Sequence, residues 1–225
     1  MSQLPGRVTH SLPRFFDFVC AAAGLLVLSP LFALLALVIL VRDGRPILFS
    51  QMRVGLYGKE FRIWKFRTMR AGATGRAITA AGDGRITKTG AWLRKFKLDE
   101  LPQLFNVLRG DMSLVGPRPE APEYVNGRSP MWQAVLQVRP GITDLATLLY
   151  RNEEDLLAAS GDADRFYRET VLPAKLRLNL AYMRTRSFGQ DIRLIWLTIR
   201  YSLSPERLDP TRIQNAFCTG AEYGG

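Results

Sequence analysis

Histidine and cysteine are nearly absent from this 225-residue chain: His10 is the one imidazole, and Cys20 and Cys218 are the only thiols. His10 lies in a polar N-terminal leader, so neither a Ser/His/Asp triad nor a zinc site built on several imidazoles is available. With Cys20 inside an apolar run and Cys218 near the C-terminus, a disulfide framework or cysteine metal cluster is also excluded, which fits a reducing, cytosolic setting. There is no Walker A sequence and no Rossmann glycine fingerprint; the stretch GLYGKE has neither the spacing nor a following helical pattern. No internal repeat occurs. Aromatic residues fall mostly in apolar runs rather than forming a platform beside basic residues, which argues against nucleic acid as a partner. Any catalysis must rest on carboxylates, Lys, Arg, hydroxyls or a metal held by oxygen.

Acid is the minority charge. Asp and Glu number 20 against 31 Lys and Arg, a formal net charge of +11, which favours phosphate-bearing partners. The length suits one domain with an appended membrane element. That element is residues 18–41, FVCAAAGLLVLSPLFALLALVILV, 24 residues without a charge, equivalent to roughly 36 Å of helix. It is too long for the apolar region of a signal peptide, and no cleavage site of small residues follows. Ser29-Pro30 interrupts the run near its middle. Arg7 and Arg14 precede it, and Arg42, Arg45 and Arg53 follow. Cations on both sides favour both ends on the cytoplasmic face, as in a re-entrant helix-break-helix; a spanning helix kinked at Pro30 is the other reading. Asp17, at the edge of the run, is expected at the interface, paired with Arg14.

The pattern then shortens. ILFSQMRVG, a YGKE turn and FRIWKFRTM read as a β-hairpin with Gly58 in the turn. Residues 71–88, rich in Gly, Ala and Thr, read as a loop or lid, followed by a helix over residues 89–97. LPQLFNVLRG places Leu101, Leu104, Phe105 and Leu108 on one helical face, with Gly110 as the stop and Asp99 at the N-cap. SLVGPRPE and VRPGIT read as extended loops. Ile192, Ile195, Trp196 and Ile199 form an apolar stripe beside Arg193 and Arg200, suited either to the core or to a membrane surface. The chain from Ser204 onward reads as poorly ordered. The division is residues 1–45 for leader and membrane helix, 46–203 for a cytosolic catalytic domain and 204–225 for a tail. The fold class is α+β, mostly helical with a small β-hairpin.

The chemistry centres on KFKLDELPQLFNVLRGDMSLVGPRPE, residues 95–120. Asp99-Glu100 at a helix start is ordinary capping architecture when taken alone. Ringed by Arg and Lys, however, two adjacent carboxylates can hold Mg²⁺ and attack or orient a phosphoryl group, and the cations are expected to keep a carboxylate ionised. Lys65 and Arg67 in KFRTM, with Arg118 between Pro117 and Pro119, supply cations to phosphate oxygens.

RFFDFV before the apolar run, Ser29-Pro30 within it, RVGLYGKEFRIWKFRTM, ITKTGAWLRKFKLDELPQLFNVLRGDMSLVGPRPE and VRPGIT together resemble the bacterial sugar transferase family, in its small monotopic phosphoglycosyl transferase form. The resemblance covers about residues 13–200. It implies transfer of a sugar-1-phosphate from a UDP-sugar to polyprenyl (undecaprenyl) phosphate, with UMP released, at the cytoplasmic face of the bacterial inner membrane. It also implies a role in initiating a surface polysaccharide or glycoprotein glycan. Asp99 matches the nucleophile that forms a phosphosugar-aspartyl intermediate, and Glu100 matches the Mg²⁺ ligand. Lys65 and Arg94 match positions near the diphosphate, Pro117, Arg118 and Pro119 the nucleotide end, and Asp191 a carboxylate near the active site. Ser29-Pro30 matches the re-entrant break, and the family pattern admits a homodimer. The chain departs from that pattern after VRPGIT, where relatives continue Gly-Trp-Ala-Gln; Asp144 occupies the usual glycine position and DLATLLYRNEEDLL follows, a region that bears on sugar choice. A UDP-sugar hydrolase, with water resolving the intermediate, and a catalytically silent adaptor binding anionic lipid are the alternatives.

Overall fold

A computed structural model describes residues 12–75, 78–207 and 209–217; Arg7, His10 and Cys218 lie outside the described residues. The chain opens with helices α1 (Arg14–Val27) and α2 (Ser29–Asp43), followed by strands β1 (Leu48–Val54) and β2 (Glu60–Phe66) and by α3 (Lys88–Lys95). Next come α4 (Gln103–Arg109), β3 (Ser113–Val115), α5 (Pro130–Val135), β4 (Gly141–Thr143), α6 (Leu145–Leu149), α7 (Glu153–Ala159) and α8 (Ala163–Phe166). A π-helical turn over Tyr167–Val171 leads into α9 (Leu172–Thr185), and α10 (Phe188–Leu203) and α11 (Pro210–Phe217) complete the described chain.

The apolar run is two helices meeting at 59°, and no single helix among the described residues is long and apolar enough to cross a membrane. The bend has a local cause. Pro30 lacks an N–H and its ring blocks helix continuation, so it is accommodated in the first turn of a new helix. Ser29 Oγ donates to the Leu26 carbonyl at 2.8 Å, satisfying an acceptor freed at the end of α1.

Each half docks by one face. Ala21 of α1 is buried against Val107 and Met112, and a side chain at Gly24 would stand 3.3 Å from Leu104, so small residues bring α1 close to α4. Leu35 and Ile39 of α2 are buried with Phe66 and Leu93; fully burying two such side chains contributes roughly 3–6 kcal/mol. The opposite faces remain uncovered: Phe15, Leu26 and Val27 are each more than 70% exposed, at 78%, 76% and 74%. Asp17, expected at an interface, is instead buried. It accepts from Ser113 Oγ and Leu114 N–H, each at 3.0 Å, with Arg14 farther away at 3.9 Å.

The hairpin forms as expected, β1 antiparallel to β2 with Ser50 opposite Trp64, and its turn uses left-handed Tyr57 and Gly58. The two proline-rich segments, expected to be unpaired loops, instead lie side by side: β3 and β4 pair in parallel, Ser113 opposite Gly141 and Val115 opposite Thr143. Glycine makes this approach possible. A Cβ on Gly141 would fall 2.1 Å from the Gly116 nitrogen, and one on Gly116 would fall 2.3 Å from the Arg139 carbonyl oxygen.

The C-terminal region also departs from expectation. In α10 the buried face is Leu194, Leu197 and Tyr201, while Trp196 and Ile199 are more than half exposed. The stripe therefore divides: Ile192 and Ile195 pack against the core, and Trp196 and Ile199 face outward with the Arg200 guanidinium over the indole. Beyond Ser204 the described residues include a 3₁₀ turn at Pro205–Arg207 and α11, where Ile213 and Phe217 are buried against Leu145, Leu148 and Tyr182.

Gly141→Ala should separate β3 from β4 and lower stability by roughly 3 kcal/mol or more. Gly127→Ala, where no atom lies within 4 Å of the new Cβ, is the control and should change stability by less than ~1 kcal/mol. Thermal unfolding in detergent checks both.

Candidate active site

Asp99 and Glu100 sit on a single 3₁₀ turn, Leu98–Glu100, between α3 and α4. Lys97, left-handed with φ 57°, turns the chain sharply after α3 and directs the two carboxylates inward. Asp99 is not an N-cap: α4 begins after Pro102 and receives no side-chain cap. Both carboxylates are buried.

Glu100 is the hub. Its Oε1 accepts from Lys65 Nζ at 2.8 Å, and Arg118 grips both oxygens as a fork, with Nη1 at 3.0 Å from Oε2 and Nη2 on Oε1. Burial works against ionisation of Glu100, but Arg118 and Lys65 outweigh it and hold the carboxyl well below its ordinary value. For Asp99 the balance reverses. Burial dominates and raises its carboxyl above the ordinary range, with Lys65, Lys97 and Arg94 pulling back only in part. The expected cationic stabilisation is present but is outweighed, and Asp99 Oδ1 has no hydrogen-bond partner.

Five of the expected residues meet. Lys65, Arg94, Asp99, Glu100 and Arg118 line one cavity of about 590 Å³. Its other walls come from residues 78–86 of the expected lid and from residues 147–155. The lid segment is irregular but anchored, by a Met69–Ile86 bridge and by Ala81 N–H donating to the Glu154 carbonyl at 2.9 Å. Pro117 and Pro119 face a small adjoining crevice with Trp132 and Val135, and the Pro117 carbonyl accepts from Gly141 N–H at 3.0 Å. Proline on each side thus fixes the loop that carries Arg118.

Two of the expected site residues lie elsewhere, and Ser29 and Pro30 form the helix break as expected. Arg67 is buried away from the cavity, where its guanidinium donates to the carbonyls of Asp43, Gly44 and Arg45 at 2.6–2.9 Å and caps the C-terminal end of α2. Asp191 is fully buried, accepting from Tyr182 Oη at 2.5 Å and pairing with Arg186 at 2.7 Å; it binds α9 to α10 and does not line the cavity. Asp144, in the position where a glycine was the expected pattern, caps α6, with Oδ1 accepting from Thr147 N–H at 2.7 Å and Oδ2 from Thr147 Oγ1 at 2.6 Å. This cap orients the chain toward residues 150–155 on the cavity wall.

Sequence reasoning missed Glu120, Glu153, Glu154 and Lys175, all of which line the cavity. Lys175 joins Glu153 at 2.8 Å and approaches Glu120 at 3.8 Å, and Arg94 pairs with Glu154 at 2.8 Å. One signal was present. Lys175 lies on the buried face of α9 with Leu172, Leu176, Asn179 and Leu180, and a buried cation on a mostly apolar helical face marks a polar partner across the core.

The family model described as "Bacterial sugar transferase" matches residues 8–205. The chain is similar to the undecaprenyl-phosphate glucose phosphotransferase of Komagataeibacter xylinus, 37% identical over 196 residues, 83% of this chain and 35% of that protein. It is similar to the UDP-glucose:undecaprenyl-phosphate glucose-1-phosphate transferase of Caulobacter vibrioides, 38% identical over 203 residues, 87% of this chain and 71% of that protein. It is also similar to the UDP-N-acetylgalactosamine-undecaprenyl-phosphate N-acetylgalactosaminephosphotransferase of Aeromonas hydrophila, 34% identical over 208 residues, 90% of this chain and 46% of that protein. The chain thus spans about a third of the first relative and under half of the third.

The two carboxylates should respond to pH with opposite signs. Asp99 ionises above its ordinary value of 3.8, so its ionisation opposes folding as pH rises from there through the raised value. Asp99→Asn should therefore be more stable than the native chain near neutral pH by roughly 1–3 kcal/mol, with the gain vanishing below about pH 4. Glu100 stabilises the fold above its ordinary 4.5 and loses that contribution as pH falls through its lowered value. Glu100→Gln strands Lys65 and Arg118 and should cost ~2–5 kcal/mol at neutral pH. Unfolding midpoints of the three proteins measured across pH test both signs.

Proposed function

This chain belongs to the bacterial sugar transferase family, and on that premise we propose that it transfers a sugar-1-phosphate from a UDP-sugar to undecaprenyl phosphate, releasing UMP and initiating glycan assembly on a lipid carrier. The observation that carries the reading is Asp99: a buried carboxylate with an unpartnered oxygen, beside Lys65, Arg94 and Arg118 on the wall of a cavity large enough for a nucleotide sugar. The names of the relatives support the two substrates.

In the first step, an Asp99 oxygen attacks the phosphorus that bears the sugar. The phosphoanhydride bond breaks and its electron pair leaves with UMP. In the second step, a phosphate oxygen of undecaprenyl phosphate attacks the same phosphorus and the aspartyl oxygen departs, restoring the carboxylate. Covalent catalysis divides one difficult displacement into two easier ones. The raised ionisation of Asp99 makes it a basic, weakly solvated nucleophile. Lys65 and Arg118 are preorganised on Glu100, and transferring their hydrogen bonds to phosphate oxygens would offset charge as the phosphorus is attacked.

The residues fit Mg²⁺. Asp99 offers a hard oxygen donor whose Oδ1 is unpartnered, and Glu100 would join it once Lys65 and Arg118 shift from its oxygens onto substrate phosphate, so the fit is to an ion shared with that phosphate. When bound, Mg²⁺ would neutralise charge on the diphosphate.

We assign α1 and α2 to the cytoplasmic leaflet of the bacterial inner membrane as a re-entrant pair, with the remainder on the cytoplasmic side. The 59° bend, the uncovered outer faces and the arginines at both ends support this topology. A lipid phosphate would then reach Asp99 from the membrane side and the soluble donor from the aqueous side.

UMP release from UDP-sugars with Mg²⁺ should require undecaprenyl phosphate for sustained turnover and should fall by roughly 10³-fold or more in Asp99→Asn. Equal activity in the variant would remove Asp99 as nucleophile, and turnover independent of lipid would indicate hydrolysis. For topology, a cysteine placed at the N-terminus should resist an impermeant thiol reagent in spheroplasts; labelling would contradict the re-entrant pair.

A further inference from the structure

The cavity has two walls of different chemistry. Around Asp99 and Glu100 stand Lys65, Arg94 and Arg118, a setting for phosphate. Elsewhere on the cavity lining, Lys175 stands between Glu153 and Glu120, and Arg53 lies 3.7 Å from Glu120. Two carboxylates balanced by two cations give a near-neutral cluster that offers an anion little attraction. It does offer both acceptors and donors to a neutral polyhydroxyl group.

Lys175 has capacity to spare. Its ammonium carries three N–H groups; Glu153 accepts one at 2.8 Å, while Glu120 at 3.8 Å is beyond hydrogen-bond range. The ammonium is held over the Tyr167 ring at 5.5 Å. The Lys175 side chain is 7% exposed on a buried helical face shared with Leu172, Leu176, Asn179 and Leu180, where an apolar residue would stabilise the helix as well or better. A buried ion pair kept on a cavity wall under those conditions points to a ligand.

Resting on the transferase reading above, we propose that Glu120, Lys175 and Glu153 form a subsite that recognises the hydroxyl groups of the donor sugar and sets which sugar is transferred. A site built to hydrogen-bond a hydroxyl discriminates strongly against donors that lack it or orient it differently, because its buried polar groups are then left unpaired. Glu120 directly follows Pro119, so the same rigid loop would position Arg118 on phosphate and Glu120 on the sugar.

The test compares the native chain with Lys175→Met and Glu153→Gln. UMP release is measured from UDP-glucose, UDP-galactose and their N-acetylhexosamine counterparts, with undecaprenyl phosphate present, and UMP is titrated as an inhibitor. The expected result is a KM for the preferred donor raised about 10- to 100-fold, a compressed ranking among donors and a UMP inhibition constant within about threefold of native. An equal loss for every donor with the ranking intact, or an equal weakening of UMP, would overturn the subsite and leave a structural ion pair. If Lys175→Met does not fold, Glu153→Gln, which preserves size and the Lys175–Glu120 approach, decides by the same readouts. A native chain that releases UMP from no donor would fail earlier, removing the transferase reading and the subsite with it.

Discussion

The grip of Arg118 and Lys65 on Glu100 is the interaction on which the site depends. It joins three segments far apart in the chain: the second strand of the hairpin, the 3₁₀ turn before α4 and the proline-bound loop after β3. All three partners are largely buried, so the cluster combines charge-assisted hydrogen bonding with a high cost for losing any one member. Asp99, next in sequence to the hub but without its partners, is left with a carboxylate whose ionisation the fold resists. One carboxylate is spent on architecture and its neighbour is left for chemistry. The same turn supplies both.

Close backbone approach is the second constraint. Gly116 and Gly141 let β3 and β4 lie together, which brings the Arg118 loop against the chain entering α6. Asp144 then caps α6 and directs residues 150–155 to the cavity. At the position where the resemblance implies glycine, Asp144 caps a helix, and the wall that follows is built from Tyr150, Glu153 and Glu154. The departure in sequence therefore lies where the cavity is shaped, rather than at the carboxylates or the cations that ring them.

Charged residues within the motifs serve two ends here. Arg67 lies two residues from Lys65 but just beyond the end of β2, and its guanidinium reaches the end of α2, where three carbonyls lack helical partners. Asp191 similarly satisfies Tyr182 and Arg186 between two helices. These contacts add polar ties to the apolar packing that already holds α2 and α10 to the core. They are the supports of the site and not its contacts.

Local chemistry was legible from the sequence. Pro30 dictates the break in the apolar run, Gly58 the hairpin turn, Gly110 the end of α4, and the adjacency of Asp99 to Glu100 places two carboxylates on one turn, because each follows from backbone geometry within a few residues. The sequence also carried an anomaly, a lysine on the mostly apolar buried face of α9, whose partners it could not name. Which carboxylate is paired and which is left free, that Arg67 and Asp191 turn away from the cavity, that two proline-rich loops pair as strands and that Glu120, Lys175 and Glu153 share a wall were decided only by the tertiary structure. Each depends on burial and on contacts between separate elements, as in Lys65 with Glu100 or Glu120 with Lys175, and neither desolvation nor pairing between elements is encoded in local spacing.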